Sequence, residues 1–188
     1  MIKNKMRNQF NENYNKVLNW FFSFPNRELS LSELAKGLGI SKKTANRIVG
    51  QLVKEGFLNK VVIGRAWRLS CNLNHSYNYT KKIWWNVSWV YESGVLEEIR
   101  KIVKGWRTII LFGNYRKGDD VESSDLDIAV EVLDDKELEI REIKSVSIGF
   151  RKNVKINLHI FNRKRIDLNL FSNIANGIIL DGFLEVRA

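Results

Sequence analysis

The sequence predicts an α+β protein: a small helical unit closed by a β-hairpin, a helical connector, and a C-terminal α/β unit built on a mixed sheet. Three observations lead there. Between Tyr14 and Gly56 apolar residues recur at helical spacing, punctuated by cap and turn signals. From Trp106 onward short apolar runs and alternation take over, the pattern of strands. Charge divides along the same line: 13 Lys and Arg against 4 Asp and Glu over 1–74, 5 against 3 over 75–105, and 13 against 14 over 106–188. The formal net charge of +10 therefore sits almost wholly in the first unit, where it points to a polyanionic partner.

At 188 residues the chain can bury the core of one medium domain or two small ones. Hydrophobic residues at 44%, charged residues at 28% and a single proline exclude disordered, collagen-like and low-complexity chains. The lone cysteine, Cys71, excludes an intrachain disulfide, and with only two histidines no four-ligand zinc site of Cys and His can be assembled. A reducing, cytoplasmic setting is expected. No run approaches about 18 apolar residues, and the polar, Asn-rich start lacks the apolar core of a signal peptide, so no membrane partner is expected.

Residues 1–13 read as a polar, loosely held terminus. The spacing of Tyr14, Val17, Leu18, Phe21 and Phe22 predicts a helix that Pro25-Asn26 ends. Ser30 followed three residues later by Glu33 is a capping box, opening a helix that turns Leu31, Leu34, Ala35 and Leu38 inward. Gly37 and Gly39 supply a tight turn, and Ser41 caps a third helix over Lys42–Glu55 with the stripe Ala45, Ile48, Val49 and Leu52. Two short runs, Phe57–Ile63 and Ala66–Ser70, flank Gly64-Arg65 as a hairpin.

The stretch LSLSELAKGLGISKKTANRIVGQLVKEGFL, followed by NKVVIGRAWRL, resembles the winged helix-turn-helix domain, over about Tyr14 to Asn74. The resemblance implies double-stranded DNA as partner, with the third helix in the major groove and the hairpin wing on backbone or minor groove. The non-core positions of that helix, Lys42, Lys43, Thr44, Asn46, Arg47 and Gln51, offer phosphate partners and base-edge donors, and Lys60, Arg65 and Arg68 serve the wing. The same residues also suit the solvated face of a small helical domain.

Residues 75–105 read as a connector of two helices broken near Ser93-Gly94. Trp84, Trp85 and Trp89 beside Ile83, Val87 and Val90 make the first of them apolar on more than one face. That surplus suits an interdomain seam, a homodimer contact or an intrachain core.

In the last unit a buried strand, Thr108–Phe112, ends at Gly113; a polar loop follows, and a second strand starts at Asp125 with Asp125, Asp127, Ala129 and Glu131 on one face. Carboxylates at i and i+2 of a strand project from one side about 7 Å apart along the chain, close enough for both to reach a divalent cation. Gly113-Asn114, ten residues, then Asp125-Leu126-Asp127 preceded by Ser124 resembles the nucleotidyltransferase fold of the polymerase-beta type in its minimal form, over about Glu97 to Leu184 with NGIILDG as the closing strand and turn. The resemblance implies Mg2+ and a nucleoside triphosphate as cofactor and substrate, with Gly113 and Asn114 at the phosphates, the Asp pair on metal, and transfer by in-line attack. Arg116 and Lys117 either balance phosphate charge or are solvated.

Two departures bear on activity. The family's Gly-Ser is Gly113-Asn114 here, and an amide still donates a hydrogen bond. On the strand Val154–Phe161, Asn157 stands where the family places its third, metal-binding and base-like carboxylate. Its neutral amide ligates weakly and takes no proton. Glu131 is roughly 13 Å past Asp127 along an extended strand and cannot substitute; Asp167 reads as a helix cap; His159 is either a base or structural. The sequence thus predicts a DNA-binding regulator over 1–74, a connector over 75–105 and a weakened nucleotidyltransferase-like domain over 106–188. An active transferase and an antitoxin-like protein with a toxin partner are the alternatives.

Overall fold

The computed structural model describes the backbone of residues 2–64, 66–135 and 137–185, with side chains from residue 9 onward. It forms two compact units, Met1–Asn78 and Tyr79–Ala188.

The first unit holds α1 (Ile2–Ser23), α2 (Leu31–Leu38), α3 (Lys42–Lys54), and the antiparallel hairpin of β1 (Leu58–Ile63) and β2 (Ala66–Cys71). The terminus expected to be loose is instead the first three turns of α1. Residues 2–13 contain neither Gly nor Pro, so a helix nucleated on the packed half at Val17, Leu18, Phe21 and Phe22 propagates outward. The four inner positions of α3 are fully buried against that half, with Phe57 of the following turn stacked edge-on to Phe22. Leu38, expected inward, is half-buried at the last turn of α2, where Gly39 takes φ 63°. A hydrogen bond from the Tyr14 hydroxyl to Glu55 (2.7 Å) ties α1 to the end of α3, and burial with that carboxylate as acceptor pushes the phenol pKa upward.

The capping box at Ser30 forms in full: its hydroxyl accepts from the Glu33 N–H (3.2 Å) and the Glu33 carboxylate accepts from the Ser30 N–H (2.7 Å). Those bonds from Ser30 hold Glu33 below the ordinary carboxylate range. Ser30→Ala is expected to cost about 1 kcal/mol of stability, read from the midpoint of the first unit in urea unfolding of the full chain. The Glu33 contribution is present above the unfolded-state pKa and is lost as pH falls through the lowered folded-state value.

The segment expected as a connector contains α4 (Ser76–Tyr79), α5 (Lys81–Glu92) and α6 (Val95–Ile102), with the break at Ser93-Gly94 where it was expected. The last two belong to the second unit: Val90, Val95, Leu96 and Ile99 pack into its main core. Of the three open assignments for the tryptophan surplus, intrachain core takes Trp85, which is buried, and part of Trp89; Trp84 remains 73% exposed.

The sheet of the second unit runs in the order β5-β6-β4-β3-β7, from β3 (Trp106–Phe112), β4 (Leu126–Val132), β5 (Glu139–Ile148), β6 (Arg151–Phe161) and β7 (Ile178–Gly182). Only β4 and β6 are parallel; every other neighbour is antiparallel. One face, through Leu126, Ile128, Val130, Ile156, Leu158 and Ile160, packs on α5 and α6. The other, through Ile110, Phe112, Ala129 and Phe161, receives α8 (Leu168–Ala175), whose N-cap is Asp167 as expected. Strand β5 precedes the strand expected to come next, making β6 the inner one. Its pairing with β6 shifts register twice, between Ile143 and Val146 and between Val146 and Ile148, which breaks the two-residue alternation by which a strand is read.

Candidate functional site

Parallel pairing of β4 with β6 builds the acidic site, because it sets Asp127 directly beside Asn157 and Ala129 beside His159. All four side chains lie on the sheet face opposite the main core, since Leu126, Ile128, Ile156 and Leu158 point the other way. Asp125, one residue before β4, joins them at the strand end. The Asn157 side-chain amide donates to Asp127 (3.2 Å) and to Asp125 (3.4 Å), so the position expected for a third carboxylate presents a donor to the other two. A neutral amide thus does part of what a cation would do between them.

Gly113 is what lets Asp127 occupy that position. It ends β3 at φ 71°, and a Cβ built there would stand 2.4 Å from a carboxylate oxygen of Asp127. The segment 113–117, expected as loop, is a single helical turn, α7 (Gly113–Lys117), closed by Gly118 at φ 82°. The Asn114 carbonyl accepts from the N–H groups of Gly118 and Asp119, while its side chain is exposed at the turn. Arg116 is half-buried and Lys117 exposed in the last turn of α7. Ser124 closes the next turn: its hydroxyl accepts from the Val121 N–H (2.9 Å), immediately before Asp125.

His159 stands 3.8 Å from Asp127, beyond hydrogen-bond reach, with its ring edge-on to Phe112 at 4.9 Å. Glu131, dismissed as too distant, is buried and paired with Arg163 through two guanidinium nitrogens, the second at 3.0 Å. That bond raises the Arg163 pKa.

Sequence reasoning missed the support under the loop that carries the site. Asp120 is completely buried between Lys82 and Arg151, themselves 1% and 4% exposed. Lys82 approaches its carboxylate at 3.3 Å, Arg151 at 2.5 Å and the Asn86 amide at 2.7 Å. Lys82 and Arg151 also donate to the carbonyls of Asp120 and Val121, and Asn86 to that of Tyr115. The Arg151 guanidinium lies 4.8 Å over the Tyr115 ring. Burial drives the Tyr115 hydroxyl, which has no hydrogen-bond partner among the described residues, to a raised pKa. The sequence signal was a Lys and an Asn spaced i, i+4 on the tryptophan-rich helix α5.

As to a cation, Asp125 and Asp127 are hard oxygen donors of the kind that would hold a divalent ion. The set does not extend to the three-carboxylate arrangement: among the described residues no three His, Cys, Asp or Glu side chains converge as a metal site.

In the first unit, Lys42, Lys43, Asn46, Arg47 and Gln51 are exposed on α3, and Thr44 is half-buried. Three of them are engaged within the unit. Arg47 lies 3.9 Å over the Phe10 ring of α1, and the Gln51 amide donates to Glu55 (2.8 Å). Thr44 pairs with the Ser41 cap at 2.9 Å. On the wing Lys60 sits 4.2 Å over the Trp67 ring, Arg68 is exposed, and Arg65 lies outside the described residues.

With the geometry in place, family comparison gives two matches. Residues 26–59 match the family described as winged helix-turn-helix DNA-binding, and residues 93–179 match the nucleotidyltransferase domain. The second begins at the break between α5 and α6, so α6 falls within it. No curated protein matches the chain. No helix among the described residues is long and apolar enough to cross a membrane.

Proposed function

From a chain that carries a winged helix-turn-helix DNA-binding domain and a nucleotidyltransferase domain, we propose a DNA-binding regulator whose nucleotidyltransferase domain is catalytically weakened and retained to sense a nucleotide. One observation carries the reading: the Asn157 amide hydrogen-bonded to both Asp125 and Asp127.

Asp125 and Asp127 would hold a divalent cation, which when bound shields the triphosphate and polarises its α-phosphate. Gly113 keeps the Asp127 carboxylate in place, and Lys117 and Arg116 face phosphate charge from the last turn of α7. Asn157 neither adds negative charge nor accepts the proton of an attacking hydroxyl. His159, with its ring against Phe112 and 3.8 Å from Asp127, is not positioned by a hydrogen bond to that carboxylate. The donor set thus supports nucleotide binding better than transfer.

Calorimetry with Mg2+ and each NTP tests this. Wild type is expected to bind weakly, and Asn157→Asp to bind at least tenfold more tightly. Equal, tight binding by both would remove the basis for a missing ligand. Incubation with labelled NTP and Mg2+ or Mn2+ tests the second reading, an active transferase, which the intact Asp pair favours; label transfer abolished by Asp125→Ala and Asp127→Ala would establish it. For the regulator role, selection from random duplex DNA by the full chain is expected to enrich a defined site, with affinity falling steeply with salt because the +9 of residues 1–74 displaces counterions.

A further inference from the structure

The hairpin, α2 and α3 enclose a half-open groove of about 620 Å3, lined by Ser30, Leu31, Ser32, Lys42, Lys43, Asn46, Ala66 and Trp67. Its chemistry is sorted by element. The start of α3 brings two ammonium groups and an amide, the start of α2 two hydroxyl side chains, and the wing a half-buried indole. A second hollow of about 430 Å3 adjoins it at Ser30, Ala66 and Trp67 and reaches Glu33, Ile63 and Arg68. Trp67 is thus the wall common to both. Lys60 lies 4.2 Å over its ring, which polarises the indole and leaves a further cation beside it.

We propose that this groove takes one unstacked nucleotide of DNA, with its phosphate on Lys42 and Lys43, its base on Trp67, and its base edge within reach of Asn46. This rests on the DNA-binding reading and extends it. Duplex readout by α3 needs cations and amides but no aromatic wall, because inside a duplex each base face is covered by its neighbours. An indole can take a whole base only where that base is unstacked from the duplex: in a single strand, at a single-strand junction or as an extruded base. Two lysines opposite an aromatic ring, in a volume larger than one nucleotide, are the pairing that single-stranded sites use, a cationic track for the backbone with a π-surface for the base. Arg47, one turn further along that helix, lies over Phe10.

Fluorescence anisotropy on the full chain, at one fixed salt concentration, tests the assignment with a blunt duplex and the same duplex carrying a short single-stranded overhang. The overhang substrate is expected to bind about tenfold more tightly. Trp67→Leu, which keeps apolar bulk in the wing, is expected to bring the overhang affinity down to the blunt value while leaving the blunt affinity unchanged, and Trp67→Phe to restore the preference. The double substitution Lys42→Ala with Lys43→Ala is expected to weaken both substrates together. Equal affinity of wild type for the two substrates overturns the nucleotide groove and leaves duplex binding standing, as does a Trp67→Leu effect of the same size on both. Binding to neither substrate overturns the DNA-binding reading itself.

Discussion

Asp120→Ala is expected to destabilise the second unit by about 3–5 kcal/mol, the cost of leaving buried charges without their counterion. Asp120 is completely enclosed, and its two oxygens face Lys82, Arg151 and the Asn86 amide. Removing it leaves two cations in an apolar setting between α5, β6 and the loop. For a unit of this size the loss reads as a fall of roughly 10–20 °C in the midpoint of thermal unfolding. The triple replacement Lys82→Met, Asp120→Leu and Arg151→Met is expected to recover most of it, because a well-packed apolar set avoids the desolvation that the ion cluster bears. If Asp120→Ala unfolds within 2 °C of wild type, the cluster does not hold the loop before Asp125, and its burial has no energetic consequence.

The second large effect belongs to Gly113→Ala. Two penalties add: a non-glycine residue at φ 71° costs about 1–2 kcal/mol, and the new methyl would stand 2.4 Å from the Asp127 carboxylate, so that carboxylate must move. Placed on Asn157→Asp, where nucleotide binding is measurable, Gly113→Ala is expected to reverse the gain by tenfold or more while the chain remains folded. Calorimetry of the double variant decides it. Binding as tight as in Asn157→Asp alone would mean that Asp127 does not contribute from the position it occupies here.

Legibility followed sequence distance. The capping box at Ser30, the cap at Ser41, the glycine turns and the hairpin are encoded by residues within four or five positions of one another, and all were readable. So was the alignment of Asn157 with the Asp pair, since alternation fixes which side of β6 a residue occupies and the resemblance fixes the neighbouring strand. Helix α1 was underestimated because a polar segment without breakers looks the same whether it frays or extends a packed helix. Strand β5 was missed because two register shifts scramble its alternation.

What the sequence by itself determined is the order of elements, the segregation of positive charge into the first unit and the identity of the donors at the acidic site. Each depends on composition, on a short repeat, or on residue type. Only the tertiary structure decided which residues become electrostatically committed. Lys82 carries no local sign of its burial against Asp120, 38 positions away; Arg47, expected as a DNA contact, also lies over Phe10; Trp67, within an expected strand, forms the wall of a groove with α2 and α3. The physical reason is common to all three. A charge or a ring takes its role from the dielectric and the partners around it, and those are supplied by elements that the chain brings together only on folding.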